Sequence, residues 1–594
     1  MIKEGQYFKN MLEDILLQVN KPARYIGSEW NIAKKDFDKT QIKFALCFPD
    51  LYEIGMSNLG VRILYSILNN VEDVSCERFF SLDIDMERLL RANHLEIFSL
   101  ESRRSLKEFD IIGFSLGYEL GYTNVLNILD LGKIPLESSL RNYTWPLVIG
   151  GGPCALNPEP IHEFFDLFVI GEAEEVILEI IDIYRKFKTQ FKLAQISKQD
   201  LLIMLSHIEG VYVPSLYEII YNHEGKIEEF KPKIKGIYTK IKKRFVKDID
   251  KVYLALDWLI PYIQVVHDRI TLEVMRGCPN LCRFCQARSQ YFPYRQRDKK
   301  NIINMACDMY RRTGYEEISL TGLSVSDYAN IEEILERLVA FFKEKAVSVS
   351  LPSIKPKAMV GNLSSLIAKV KKTSLTFAPE AATERLRQIL AKDFDTQDFF
   401  KAVQQAYSLG WQHIKLYFLI GLPYEEKEDL DAILEFTHQV SDLRKKIGQS
   451  PARVNISINT LIPKPHTSFQ WLKMEDLDNI KYKQDYLKNK IKNKRLIFSF
   501  HNRYMSFLEG ALSRGDRRLS RVILSAFKKG ARFDAWDSYF TFDKWLEAFD
   551  ESNINPDFYL KERSRDEYLP WDFLDIGISK EALIADFNKV IAIK

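Results

Sequence analysis

The chain has 594 residues, 46% hydrophobic and 28% charged, with 84 basic against 81 acidic side chains and a formal net charge of +3. This composition is that of a globular protein of several domains and excludes a disordered chain; the near balance of charge indicates no nucleic-acid partner. No stretch approaches the ~18 uninterrupted apolar residues of a membrane span, and the first twenty residues carry acids among their apolar positions, so they read as an amphipathic helix and the expected location is the cytoplasm.

Residues 1–40 read as a helical segment followed by loop. From 41 to 195, short apolar runs alternate with helical patterns: IKFALCFP (42–49), LEIFSL (95–100), DIIGFSLG (110–117), PLVIGGG (146–152) and LFVIG (167–171). Strands alternating with helices predict βαβ units, a parallel sheet and a Rossmann-like domain whose ligand lies at the carboxyl ends of the strands. Residues 196–262 read as a linker containing a β-hairpin, with the basic run PKIKGIYTKIKKRF as a solvated face. A second alternation follows over 263–489: RITLEVM (269–275), EISLTG (317–322), VSVSLPS (347–353), SLTFAPE (374–380), HIKLYFLIG (413–421) and VNISINTLI (454–462). Six such repeats predict a partial (β/α)6 barrel, in which chemistry sits at the strand C-termini. Residues 490–594 form a mixed extension. The fold class is therefore α/β.

Seven cysteines are sparse for this length, and three of them, Cys278, Cys282 and Cys285, stand together in MRGCPNLCRFCQA (275–287). That is a metal-site pattern of a reducing compartment, not a disulfide framework. Cys47, Cys76, Cys154 and Cys307 read as small buried hydrophobes. Soft thiolates suit zinc or iron–sulfur clusters. A structural zinc wants four protein ligands, and here there are three, on a loop directly after the first barrel strand.

The spacing Cys-x3-Cys-x2-Cys with Phe284 before the last cysteine resembles the signature of the radical S-adenosylmethionine (SAM) superfamily. The resemblance implies a [4Fe–4S] cluster on Cys278, Cys282 and Cys285 whose fourth iron chelates SAM, reductive cleavage to a 5′-deoxyadenosyl radical, and an electron donor such as flavodoxin or ferredoxin. It further implies SAM contacts from Thr321 and Gly322 in LTGLSVSDY, although the family's acidic residue is not directly there. Glu380, with Arg385, would face the ribose or carboxylate of SAM; Gly421 and Pro423 would face the adenine. The plain alternatives are a helix-surface arginine at 385 and simple strand termination at 421–423.

A second resemblance covers nearly the whole chain. GGPCALNPEP…DLFVIGEAEE, with Gly151, Gly152, Asn157-Pro158-Glu159 and Gly171-Glu172-x-Glu174, is similar to radical SAM proteins with an N-terminal cobalamin-binding domain, as are YIGSEWN (25–31), PDLYEIGMSNLG (49–60) and SRGDRRLSRVI (513–523). Ser115 and Gly117 fit the same ligand surface. The family's Asp-x-His-x-x-Gly appears as Asp50, Tyr52 and Gly55, and a phenol is a poor cobalt ligand, so any bound cobalamin would lack a protein histidine. The alternative is the same fold with no corrinoid. Arg514, Asp516, Arg517 and Arg518 would either close the barrel, touch an anionic substrate or begin a helix with an ion pair. His267, His413, His466 and His501 read as structural residues. Three functions follow: a cobalamin-linked radical SAM enzyme, with methyl transfer to an unactivated carbon as one outcome; a radical SAM enzyme doing rearrangement, cyclisation or sulfur insertion; and a non-enzymatic SAM, corrinoid or redox sensor.

Overall fold

The computed structural model describes residues 11–351, 355, 366, 375–392 and 394–592; the expected helix over the first twenty residues lies partly outside them. The N-terminal sheet has six strands in the order β2-β1-β3-β4-β5-β6. β1 (Ile42–Phe48), β3 (Ile111–Ser115), β4 (Leu147–Gly151) and β5 (Leu167–Val169) lie where the apolar runs place them. They are parallel, as is β2, while β6 (Val211–Tyr212) closes the edge antiparallel.

The second predicted strand is displaced. LEIFSL makes only an isolated bridge from Phe98 to Ser105, and the edge strand β2 is Val74–Phe80. Glu77 and Arg78 interrupt the apolar pattern there, which conceals the strand. Arg78 is fully buried and is held by Glu29 at 2.9 Å and Glu101 at 2.6 Å. A buried guanidinium needs such partners, and they come from distant loops.

The expected hairpin is present as β7 (Tyr217–Tyr221) and β8 (Ile227–Pro232). β9 (Ile241–Lys242) pairs with Leu574–Asp575 of the C-terminal extension. Among the described residues the second α/β unit shows seven strands in parallel pairing rather than six. β10 (Ile270–Glu273), β13 (Glu317–Thr321) and β14 (Ser348–Ser350) form one sheet. β15 (Leu375–Glu380), β16 (His413–Ile420), β17 (Arg453–Thr460) and β18 (Leu496–Phe500) form another. The added strand, β18, lies past residue 489. It is short and follows a lysine-rich stretch, so it carries little signal of its own. Residues 352–353 of the third expected strand fall outside the described residues. β16 and β17 alternate buried and less buried positions, the pattern of strands packed on helices by one face. Between β10 and β13, β11 (Met275–Arg276) and β12 (Arg295–Gln296) make a short antiparallel ribbon.

The C-terminal extension binds the two units together. Helices Arg503–Arg514 and Leu519–Lys528 flank the SRGDRR segment, and its arginines are spent internally. Arg514, with no exposed surface, donates to the carbonyls of Pro463, Gln470, Tyr559 and Lys561. Arg517 pairs with Glu159 at 2.5 Å and donates to Tyr212 Oη at 2.8 Å. Arg518 pairs with Asp516 at 2.6 Å, the ion-paired helix start. Asn157 donates to the carbonyls of Ser513 and Gly515. The Asn-Pro-Glu motif is thus the socket for the extension. Among the described residues no helix is long and apolar enough to cross a membrane.

Candidate functional site

The ribbon of β11 and β12 closes an excursion that begins and ends beside the carboxyl end of β10. Met275 faces Gln296 and Arg276 faces Arg295, so residues 277–294 are a loop pinned at its neck. Gly277 has φ +80, and a Cβ there would lie 2.8 Å from the carbonyl oxygens of Tyr291 and Pro293; only glycine lets the outgoing and returning chains approach so closely. Cys278, Cys282 and Cys285 sit on this loop, and Cys285 caps the helix Gln286–Gln290. Phe284 packs against a separate apolar cluster containing Leu386, Leu390, Trp471 and Trp571, which anchors the loop. Arg283 donates to the Gln388 and Ile389 carbonyls at 2.8 Å and to Asp586 at 3.1 Å. Lys243 reaches the carbonyls of Ser289, Gln290 and Phe292 at the C-terminal end of that short helix, where a cation is favoured.

The three clustered cysteines are half-buried, whereas Cys47, Cys76, Cys154 and Cys307 are buried, as expected of core residues. Burial pushes the Cys282 thiol up to about 11, with Lys392 pulling it down and Cys285 and Cys278 adding to the rise. Burial also raises Cys285, with Cys278 contributing. The three sulfurs thus feel one another. Asn280 Nδ2 donates to Cys278 Sγ at 3.2 Å. No three His, Cys, Asp or Glu among the described residues surround a single ion, which a cubane does not require, since each thiolate takes a different iron. Three soft, partly accessible ligands with an adjacent lysine fit an iron–sulfur cluster.

Two acid–base pairs flank the cysteines. Glu380 ends β15 in the left-handed region, φ +66, after a register shift in the pairing of β15 with β16. Such a conformation in a non-glycine residue is costly and is held by the surrounding structure. Glu380 is 3.3 Å from Lys392. Burial raises Glu380 against the pull of Lys392, and Lys392 is held above its usual value by Glu380 and Cys282 despite burial. Arg385, by contrast, is committed to Asp429 and the Tyr424 carbonyl. The cation beside the cysteines is Lys392, which the sequence reading missed. No motif marks it; the turn after helix Glu384–Leu390 brings it back.

The second pair follows β13. Thr321 lies in register with Glu273, and Gly322 is pressed on Met275, with a Cβ only 2.4 Å from Met275 Cγ. A short 3-10 turn, Val325–Asp327, folds Asp327 back toward the loop. It accepts from Asn280 at 3.1 Å and Ser324 at 2.7 Å and pairs with Lys355 at 2.6 Å. Asp327, five residues after Gly322 and within the same segment, is the acid that this turn brings to Asn280 of the cysteine loop. At β16, the Gly421 N–H donates to Glu425 at 2.9 Å and Glu425 pairs with Lys483 at 2.6 Å. Gly421 has φ +77, and the geometry there and at Pro423 is that of a strand-ending turn.

A cavity of 380 Å³ lies where the carboxyl ends of β1, β3, β4 and β5 meet the cysteine-bearing unit. Ser115, Gly117, Gly151, Gly152 and Gly171 line it, together with Glu172, Glu174, Glu273 and Arg276 and apolar side chains such as Phe44, Leu46 and Ile149. Asp50, Tyr52 and Gly55 do not line it. Asp50 accepts from Trp536 at 3.0 Å, the Tyr52 hydroxyl donates to Glu29 at 2.9 Å, and a Cβ on Gly55 would lie 2.2 Å from the Phe80 ring. This loop is a packing element, and the cavity is reached instead by Asn58, Leu59 and Gly60 just beyond it. The histidines are structural: His466 Nε2 meets the Leu156 carbonyl, His501 Nδ1 meets Ser506, and His267 bonds Arg269. His413 begins β16, at the end opposite the site.

Residues 60–214 match the family of radical SAM proteins, N-terminal, and residues 272–437 match the radical SAM superfamily. The uncharacterized protein MJ0966 of Methanocaldococcus jannaschii is 28% identical over 515 residues, covering 86% of this chain and 97% of that protein. The tRNA-2-methylthio-N(6)-dimethylallyladenosine synthase of Bacteroides fragilis is 32% identical over 107 residues, 17% of this chain and 23% of that enzyme. Among solved structures, the radical SAM methyltransferase TsrM of Kitasatospora setae, with cobalamin and a [4Fe–4S] cluster bound, aligns at 13% identity and a TM-score of 0.46, over 70% of this chain and 72% of that one. The cobalamin-dependent SAM radical enzyme OxsB, with aqua-cobalamin and SAM bound, aligns at 12% identity and a TM-score of 0.48, over 98% and 84%. The cysteine loop at the end of the first strand and the two matched domains lead to one conclusion: the chain belongs to the radical SAM superfamily.

Proposed function

We propose that this protein is a cobalamin-linked radical SAM enzyme that transfers a methyl group to an unactivated carbon. The observation that carries the reading is the cavity itself. It opens at the carboxyl ends of a parallel sheet, the ligand position of such folds. Glycines at the strand ends and Arg276 from the neck of the cysteine loop both line it. A cavity of this size suits the flat end of a nucleotide tail, and Gly117 and Gly151 leave the strand ends open to a macrocycle. No histidine lines it, so a corrinoid would sit there without a protein imidazole on cobalt.

With Cys278, Cys282 and Cys285 as its ligands, a [4Fe–4S] cluster would supply the electron that cleaves SAM. The chain's own residues would orient that substrate. Lys392 would pair with a carboxylate through a charge-assisted hydrogen bond, while Glu380 and Asp327 would accept from hydroxyl or ammonium donors. The electron would come from a small redox protein such as flavodoxin or ferredoxin.

The test is anaerobic reconstitution with iron and sulfide, followed by reduction with SAM and hydroxocobalamin. Formation of 5′-deoxyadenosine, lost in Cys282→Ala, together with stoichiometric hydroxocobalamin uptake, is expected. SAM cleavage without corrinoid uptake would leave rearrangement or cyclisation in its place, and absence of cleavage in the fully reduced protein would sink the enzymatic reading.

A further inference from the structure

Arg276 stands where the cavity, the two domains and the cysteine loop meet. Its guanidinium is 2.9 Å from Glu172, 2.7 Å from Glu174 and 2.8 Å from Glu273. Two of those carboxylates follow β5 of the N-terminal domain, and the third ends β10. Glu172 is also gripped by Arg295 at 2.6 Å, the residue facing Arg276 across the ribbon. All of these side chains are buried or nearly so. The motif Gly171-Glu172-x-Glu174 is therefore an interdomain clamp, closed on the two arginines at the neck of the cysteine loop.

The clamp is also a cavity wall, to which Glu172, Glu174, Glu273 and Arg276 all contribute. Arg276 alone meets three carboxylates, while Arg295 meets Glu172, so Glu174 and Glu273 share a single guanidinium at close range. Among the described residues Glu174 forms its ion pair with Arg276, and burial raises its pKa against that attraction. A ligand with N–H donors on its rim would compete with Arg276 for Glu174 and Glu273, and the primary amides around a corrin are such donors.

Movement at Arg276 has little room to dissipate. One residue separates it from Cys278, and that residue is Gly277, wedged against the returning chain. Gln290 and Tyr291, which end the helix that Cys285 caps, line the same cavity. Both ends of the cysteine loop therefore touch the occupant's wall.

We propose that Arg276 is a positioning residue that couples occupancy of the cavity to the Cys278–Cys285 loop, so that an amide-bearing corrinoid and the cluster alter one another's affinity through the Glu172–Arg276–Glu174 clamp. This rests on the corrinoid reading above. Coupling of binding sites is reciprocal, so it is measurable from either side.

The experiment is a hydroxocobalamin titration, by absorbance under anaerobic conditions, of cluster-loaded and chelator-stripped full-length protein. The wild type is expected to show a ratio of the two dissociation constants of about fivefold or more, the low end of ordinary coupling. In Arg276→Gln the ratio should collapse toward one. Glu174→Gln, which leaves the Glu172–Arg295 pair and the loop neck intact, should do the same and serves if Arg276→Gln does not fold. Tight binding by the wild type with a ratio of one would overturn the coupling alone. So would a ratio that persists in both folded variants, which would mean that the two groups interact directly. Failure of the wild type to bind hydroxocobalamin in either form would remove the corrinoid reading and the coupling with it.

Discussion

Gly151 and Gly152 are adjacent in the chain, yet the structure assigns them opposite roles, and substituting each in turn separates folding from binding. At Gly151 the backbone is ordinary extended strand, and an added Cβ would meet nothing closer than Val169, at 3.6 Å. That is normal van der Waals distance. A leucine there fits the strand, removes the entropic penalty of a strand glycine, about 0.5–1 kcal/mol, and projects into the 380 Å³ cavity. At Gly152, φ is +108 and ψ −172, a region open essentially to glycine, and a Cβ would lie 2.8 Å from the Leu116 carbonyl oxygen. An alanine there should cost about 1–3 kcal/mol of stability. Gly151→Leu should therefore unfold at or above the wild-type denaturant midpoint and keep its cluster absorbance. Its hydroxocobalamin affinity should fall at least about a hundredfold, or ~2.8 kcal/mol. Gly152→Ala should lose stability first, and affinity only with the folded fraction. Denaturant titration and equilibrium dialysis read the two effects independently. A folded Gly151→Leu protein that binds hydroxocobalamin like the wild type would refute the placement of the ligand in this cavity.

Other consequences are as specific. Arg517→Met strands the charge of Glu159, which is fully buried, and should cost about 3–5 kcal/mol; adding Glu159→Gln should recover part of it, whereas a loss below about 1 kcal/mol would show that the extension is not held by this pair. Lys392→Met should weaken SAM binding to the cluster-loaded protein by tenfold or more in equilibrium dialysis, and Arg385→Met far less, because Asp429 already occupies that guanidinium. His466 is buried and His162 half-buried, and desolvation lowers them to about 4 and about 3. Each is neutral in the fold but gains a proton near pH 6.5 when unfolded. Their stability contribution is complete above that pH and is lost as pH falls toward the folded values, by about 2 kcal/mol each near pH 5. The melting temperature should drop accordingly between pH 7 and 5, and by less in the His162→Gln, His466→Gln double variant.

Much of this molecule is legible in its residues. The βαβ alternation reports itself because buried parallel strands are continuous apolar runs, a rule that β1, β3, β4 and β5 follow, while β10 and β16 alternate buried and less buried positions. The cysteine triplet is equally plain, since ligand spacing on a single loop is a local property. The sequence conceals whatever depends on partners far along the chain. β2 carries Glu77 and Arg78 through its middle, which is possible only because Glu29 and Glu101 come from elsewhere to neutralise Arg78. In sequence the SRGDRR arginines leave barrel closure, an anionic substrate and an ion-paired helix start all open, and only the carbonyls, Glu159 and Asp516 that hold them decide. Tyr52 sits at the spacing of a ligand but points to Glu29, and Arg385 stands near the right strand but is taken by Asp429. Lys392 and Asp327, the charged groups brought to the cysteines, carry no motif, because turns fold them back. Local periodicity and cysteine spacing therefore determine the α/β class, the superfamily and the grouping of the three cysteines on one loop. The assignment of each charge to scaffold or site is decided only by the tertiary structure, because burying an ion requires a counter-charge that no local stretch of chain specifies.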